Sequence, residues 1–436
     1  MPKSLKEISK WGYLCVALGA LFYFYEYFLR VSPSAMKPEL MSEFDLDAAL
    51  FGTLSAFYFY AYTPMQLIVG ILVDRLNLRF VLSLAIFCCA FGTFLLSTAD
   101  LYAFAALGRF LQGFGSAFAY IGALKLASMW LPAKRFGFFA GLTTSLGFWG
   151  AAFGEILLSA LLDHLSWRVS LKLFSLAGVV LIILFFFALS PKIVRKAPSQ
   201  GHQVGQHPQQ RLFEYLWQFW VILKQPRIWV AGFLSALIFL PTTVFASLWG
   251  IPYLQTLHGY SEHQAAIASS MIFVGWALGC PIQGWISDRF GTRLKVIMVG
   301  AIVAAILSGI LLYLPVMPYI LVCILFVFFG FFSSSQVLTF AIARDLSNHR
   351  VVGMAVAFVN MLSMLGGTIF QSLVGKLLDL GWDGQFNPVT HERVYALSDY
   401  EHSIIIIPIS LVLGALVAMF FRTRHKPGHF SKHTRY

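Results

Sequence analysis

Charge is what this 436-residue chain has least of: Asp, Glu, Lys and Arg together make up 11% of it. A water-soluble domain carries roughly 25%, so an ordinary soluble surface is excluded. A hydrophobic share of 58% and a mean hydropathy of +0.75 point the same way. Cysteine is also scarce. Cys15, Cys88, Cys89, Cys280 and Cys323 all fall inside long apolar runs, and none has zinc-type spacing with histidine. They read as small buried hydrophobes with free thiols, and no metal is expected. No G-x-x-x-x-G-K-[ST] loop is present, so ATP hydrolysis is not expected. No nucleophile–base pair stands at useful spacing, so neither an enzyme nor a cofactor is expected. The first apolar run is too long for a cleaved signal peptide and lacks a small-residue cleavage site, so it reads as a retained span.

What the chain does have is apolar length. Runs near twenty residues recur at 11–32, 48–73, 80–98, 101–131, 135–162, 168–190, 228–256, 264–287, 294–314, 318–343, 350–377 and 402–421. Each is long enough to cross about 30 Å of hydrocarbon, and lipid offers the backbone no hydrogen-bond partner, so each must be a helix. The prediction is an all-α membrane protein of twelve transmembrane helices. Residues 191–227 form a polar, His- and Gln-containing linker. It separates two six-helix bundles, 1–190 and 228–436. His202 and His207 read as solvated linker residues, and 211–224 as an amphipathic helix on the inner membrane face.

The net charge of +12 is a matter of placement. With the N-terminus inside, the loop Lys and Arg residues fall on the cytoplasmic side except Lys37, Arg168 and Arg393, while Asp45, Asp47, Asp383, Glu392, Asp399 and Glu401 lie outside. That asymmetry puts both termini in the cytoplasm, beneath an inner membrane. The bilayer, not nucleic acid, is the expected partner, and a monomer is expected.

Gly70-Ile-Leu-Val-Asp74-Arg75-Leu-Asn-Leu-Arg79 returns about half a chain later as Gly284-Trp-Ile-Ser-Asp288-Arg289-Phe-Gly-Thr-Arg293. Two copies at that spacing mark a duplicated membrane unit. This pattern, G-x-x-x-D-R-x-G-x-R between the second and third helices of each half, resembles the major facilitator superfamily. Arg109-x-x-Gln-Gly-x-Gly, Trp130-x-Pro-x-Lys-Arg-x-Gly and Trp167-Arg168 extend the resemblance over nearly the whole chain. The first copy departs from the pattern at Asn77, which is expected to take the left-handed turn that Gly would make. The resemblance implies two six-helix halves that rock about a central site. It also makes Asp74 and Asp288 latches at an inner gate formed with Gly70, Arg75, Arg79, Gly284, Arg289 and Arg293. Asp74 would face a helix N-terminus or a base of the other half. Drug-efflux members carry a Gly-Pro signature in helix five; here that stretch, Gly147 to Gly154, has no proline.

Polar residues within the spans point to the site, because burying a charge in a bilayer costs several kcal/mol. Tyr23, Glu26, Tyr27 and Arg30 share one face of the first helix, and Glu26 can pair with Arg30 across one turn. Arg30 either meets a ligand or reaches the outer interface with Glu26 neutralising it. Arg109 and Gln112 share a face of the fourth helix with Gly113, Ser116 and Tyr120. Arg109 stays charged and needs an anion: Glu26, Glu155 or the substrate. Tyr58, Gln336 and Asn360 stand in uncharged polar stripes. Glycines spaced by four in helix five, Gly137/Gly141 and Gly150/Gly154, suit close helix packing.

These residues predict a secondary transporter of a small polar organic solute, such as an amino acid, short peptide or organic acid. Tyr23, Glu26, Tyr27, Arg30, Tyr58, Arg109, Gln112, Gln336 and Asn360 would bind it. Protons are the expected drive, through Glu26 or Glu155. Export is the alternative; sugar-phosphate uptake and a non-transporting receptor rank below it.

Overall fold

The computed structural model describes residues 10–131, 133–190, 208–314, 317–347, 351–386 and 393–421. His202, His207 and the side chains of Lys134 and Arg135 lie outside the described residues. Twelve helical spans cross the molecule. The first six are span 1 (Lys10–Ala35), span 2 (Ala48–Met65 continued by Val69–Arg75), span 3 (Leu78–Thr98), span 4 (Tyr102–Trp130), span 5 (Ala133–Leu162) and span 6 (Trp167–Ala188). The second six are span 7 (Pro226–His258), span 8 (Glu262–Phe290), span 9 (Arg293–Tyr313), span 10 (Tyr319–Leu346), span 11 (Val352–Gly381) and span 12 (Leu397–Phe420). The helix Pro208–Leu223 precedes span 7.

Ten of these are long and apolar enough to cross a membrane alone, and the bent pair of span 2 makes an eleventh. Span 4 is the twelfth. Arg109, Gln112 and Lys125 dilute its hydropathy, and it packs among spans 1, 2 and 3, where the first two of those residues are buried in protein rather than lipid.

Three irregularities have local causes. Span 2 bends by 59° just after Pro64, whose ring removes a helix donor. Pro241 opens a π-helical segment, Pro241–Trp249, in span 7. Its carbonyls find partners: Gln371 Nε2 donates to Thr243 O (2.7 Å) and Ser34 Oγ to Leu248 O (3.3 Å). Span 10 tightens into a 3₁₀ turn at Ser334–Val337.

The same packing recurs in both bundles. Spans 1–5, 2–4 and 3–6 pair in the first, and 7–11, 8–10 and 9–12 in the second. The bundles meet along spans 2–11 and 5–8, which the internal symmetry exchanges, and along span 1 with the π segment of span 7. Gly150 and Gly154 let span 5 close on Phe24 and Phe28 of span 1. Among the described residues nothing packs against Gly141, and the surroundings of Gly137 lie outside them.

The paired loop motifs lie at one end of the molecule, together with the start of span 1 and the end of span 6, which meet at Cys15 Sγ and Ala188 O. That end is the motif end; the other is the far end. The two turns differ. Gly291 ends span 8 at φ +62°, its N–H on Ser287 O. Asn77 is not left-handed, contrary to expectation: at φ −62° it caps span 3, its side chain accepting from Arg79 N at 3.0 Å. A side-chain cap here does the work of a left-handed glycine.

Candidate functional site: a cavity between the two bundles

A cavity of about 890 Å³ runs from the middle of the spans to the motif end. Its apex is aromatic. Tyr23 packs on Tyr120 (5.0 Å between centroids), Tyr27 on Phe148 (5.2 Å) and Phe148 on Trp276 (4.9 Å), so rings from both bundles meet there. Lower in the wall, Asn360 Nδ2 donates to Gln66 Oε1 across the halves at 2.9 Å. Gln336 Nε2 donates to Ser235 Oγ at 2.5 Å. Near the mouth stand Gly70, Gly353 and Arg344, with Gln218 of the Pro208–Leu223 helix. Among the described residues, Arg344 is the one charged residue in this lining.

A buried ionic cluster sits behind the aromatic apex. Arg30 Nη2 holds both Glu26 oxygens, at 3.0 and 3.1 Å. Tyr58 OH donates to Glu26 Oε2 at 2.7 Å and accepts from Arg30 Nε at 3.3 Å. The guanidinium lies 4.2 Å from the Tyr27 ring centre and 4.8 Å from that of Tyr62. Tyr27 and Tyr62 line the cavity whereas Glu26, Arg30 and Tyr58 do not, so two rings screen the ion pair from the cavity. Arg30 therefore reaches inward, not to the interface.

Arg109 departs from expectation. It pairs with neither Glu26 nor Glu155. Its Nη1 donates to Leu29 O (2.9 Å) and Gln112 Oε1 (2.7 Å), and its Nη2 to the carbonyls of Arg30 and Ser55, both at 3.4 Å. Gln112 in turn donates to Thr93 Oγ1 at 2.9 Å. Both residues are fully buried behind the cavity wall, where backbone oxygens supply the partial negative charge the cation needs. Of that face of span 4, Tyr120 reaches the cavity. Glu155 is also away from it: fully buried on span 5, with the Ser269 hydroxyl of span 8 beside it and no base. Thus Tyr23, Tyr27, Gln336 and Asn360 line the cavity, Glu26, Arg30 and Tyr58 back it, and Arg109, Gln112 and Glu155 lie elsewhere.

The gate residues also fall differently. Asp74 faces no helix end of the other half; it pairs with Lys125 of its own bundle at 2.7 Å. Arg79 stacks on Phe186, Arg289 on Trp285, and Arg293 pairs with Asp345 of its own bundle at 3.0 Å. Charged groups bond across the bundles at the far end instead. There Asp379 of span 11 accepts from Ala48 N (3.1 Å) and Ala49 N (2.7 Å), the first amides of span 2. Tyr395 OH and Arg393 Nη1 also reach it, at 2.6 and 3.2 Å. Lys37 donates to Tyr400 OH at 2.7 Å within a cage of Trp249, Tyr395 and Tyr400. Sequence reasoning assigned none of these residues a gating role. A signal was available: Lys37, Arg168 and Arg393 are the rare bases of that end, and each is engaged, Arg168 by Glu43 at 2.8 Å.

Two bundles of six spans around a cavity that is open at one end and sealed at the other define a multi-pass membrane transporter rather than an enzyme. The family model described as Major Facilitator Superfamily matches residues 16–371 and, separately, 231–435, so the chain belongs to that superfamily. It is similar to the membrane sensor protein UhpC of Salmonella typhimurium, at 26% identity over 83% of this chain and 84% of the relative. A probable sulfoacetate transporter, SauU of Cupriavidus necator, is 24% identical over 86% and 89%. A probable hexose phosphate transport protein of Chlamydia pneumoniae is 21% identical over 88% and 91%. The fold is that of a bacterial homologue of the human lysosomal transporter Spinster, solved inward-facing and unoccupied. The TM-score is 0.76 at 16% identity, over 95% of this chain and 97% of that one.

Proposed function

We propose that this chain carries a small organic anion into the cell by alternating access, driven by protons, with the motif end and both termini cytoplasmic. The observation that carries this reading is Arg30, held by Glu26 one ring's thickness behind the apex of a central cavity. Glu26 and an incoming carboxylate or sulfonate compete for the same guanidinium. A proton on Glu26 frees Arg30 for the substrate once Tyr27 and Tyr62 turn aside, and Tyr58, bonded to both, can hold either arrangement. Proton and anion would then load together. One proton moving down 100 mV supplies about 2.3 kcal/mol, enough for roughly fifty-fold accumulation. The aromatic apex suits the organic body of the substrate, and a single base near it suits one acidic group. The relatives whose printed names include sulfoacetate and hexose phosphate share anionic cargo. The two bundles act as the rocking bodies. Leu216, Trp217 and Trp220, exposed on the Pro208–Leu223 helix, rest in the membrane interface while Phe219 packs on Phe358.

The test is uptake into proteoliposomes under an imposed pH gradient, with short sulfonates, carboxylates, dipeptides and sugar phosphates as cargo. The expected outcome is saturable concentrative uptake of an anionic member. In Glu26→Gln, concentrative uptake should be lost while exchange persists. Uphill uptake surviving in that variant would remove Glu26 as the coupling group. A second reading, a sensor that binds without carrying, draws on the name of the UhpC relative. Saturable binding with no flux in the same liposomes would favour it.

A further inference from the structure

Glu155 is the buried acid that the cavity does not use. It stands where spans 5 and 8, one from each bundle, run antiparallel along the bundle interface. Ser145 Oγ donates to Ala277 O at 3.0 Å, and Ser159 meets His263 Nδ1 at 3.1 Å. Stepping forward along span 5 therefore steps back along span 8. Glu155, one turn before Ser159, faces the stretch of span 8 one to two turns after His263, where Ser269 stands. The Ser269 hydroxyl leans on Ala246 O of the π segment at 3.4 Å. Glu155 is fully buried, and the Ser269 hydroxyl is the polar side chain beside it, too poorly aligned to make a well-formed hydrogen bond to either carboxylate oxygen.

The surroundings offer it no cation. Span 1 brings Phe24 and Phe28 against Gly150 and Gly154. Span 8 brings Ser269 and, nearly two turns before it, His263. Span 4 brings Tyr120, bonded to Thr144, and Arg109, whose donors go to carbonyls and Gln112. Span 6 carries Arg168, held by Glu43, and Lys172 on the surface. Among the described residues no base forms an ion pair with Glu155. Closing two bundles over a carboxylate with no base beside it and one weakly placed hydroxyl is strongly unfavourable, whereas closing them over a carboxylic acid buries only a polar group.

We propose that Glu155 is a proton-binding site apart from the cavity, which takes a proton from water as the far end closes and returns it when that seam opens. This rests on the alternating-access reading and deepens it: acid on the far side would favour the state open at the motif end. A single proton tied to closure changes the closed-to-open ratio by up to tenfold per pH unit.

The test reads that ratio directly in the full-length protein, in lipid nanodiscs without substrate. Spin labels go on Leu101→Cys and Leu314→Cys, exposed at the far end of each bundle, and distances are measured from pH 5 to pH 9. The far end should open as pH rises. Glu155→Gln should stay closed throughout, and Glu155→Leu, which fills the seam without a hydroxyl partner, should do the same. His263→Asn, which removes the neighbouring titratable ring, should keep the wild-type response. An unchanged pH response in both folded Glu155 variants overturns the proposal. So does loss of the response in His263→Asn, or closure driven by sodium at constant pH. Because nothing is transported, a protein that opens with pH yet carries no cargo sinks the transport reading and leaves this one standing.

Discussion

The two ends of the molecule use the same chemistry to opposite effect. At the far end, Asp379 sits on the first amides of a helix belonging to the other bundle, so its hydrogen bonds cross the seam. At the motif end, Asp74 and Arg293 spend their charges on Lys125 and Asp345, each within its own bundle. A carboxylate on a helix N-terminus or beside a base is stabilising in either place. Only a contact that joins two bodies opposes their separation. The cavity opens where the charged groups bond within their own bundles, and is sealed where Asp379 and Lys37 make hydrogen bonds across the seam.

Replacing Asp379 by Asn should disturb this difference most. It removes a charge bonded to two amides, a phenol and a guanidinium, worth about 2–4 kcal/mol against closure. Far-end thiols should become accessible in a correspondingly larger fraction of molecules, with the fold intact. Unchanged accessibility would mean that the Lys37 cage and the helix contacts hold that end alone.

Arg109 belongs to neither end and serves as the control. Arg109→Lys leaves carbonyls of Leu29, Arg30 and Ser55 short of donors, and should cost roughly 1–3 kcal/mol of stability. Ligand affinity per folded molecule should not change. A tenfold weaker dissociation constant at an unaltered melting temperature would return Arg109 to the substrate site.

The two loop motifs can be separated by their turns. Gly291→Ala forces a β-carbon into φ +62° and should cost about 1–2 kcal/mol in melting studies. Asn77→Gly removes a cap and should cost only a few tenths of a kcal/mol. Equal losses would mean that the turns are alike after all. A similarly small effect is expected from Asp74→Asn. Its pair with Lys125 is partly exposed, 39% and 22%, and should contribute about 0.2–1 kcal/mol to this state. A shift in the far-end distance populations larger than about fivefold would show that Asp74 also engages the other bundle.

Much of the fold was legible because it rests on composition and repetition. Apolar length shows spans, and the Gly70 and Gly284 motifs show duplication. The Tyr23–Arg30 stripe was legible because it lies on one helix, where spacing fixes neighbours. Arg109 was not, since its partners are backbone carbonyls on other helices, which carry no sequence signal. Asp379, Tyr395 and Tyr400 were missed for a related reason. They matter through a meeting of bundles far apart in the chain, and just beyond the predicted ends of two apolar runs an acid or a phenol looks like ordinary solvated surface. Asn77 shows a third limit: a residue that tolerates a left-handed turn also caps helices, and tertiary context chose the cap.

The claim that one end closes as the other opens is tested most directly by measuring both ends in the same molecules. One distance would be read across the motif end and one across the far end, in wild type and in Asp379→Asn. The expected result is anticorrelation: as the far end widens in the variant, the motif end narrows in the same molecules. A far end that opens while the motif end stays wide, leaving a continuous passage, would contradict the account.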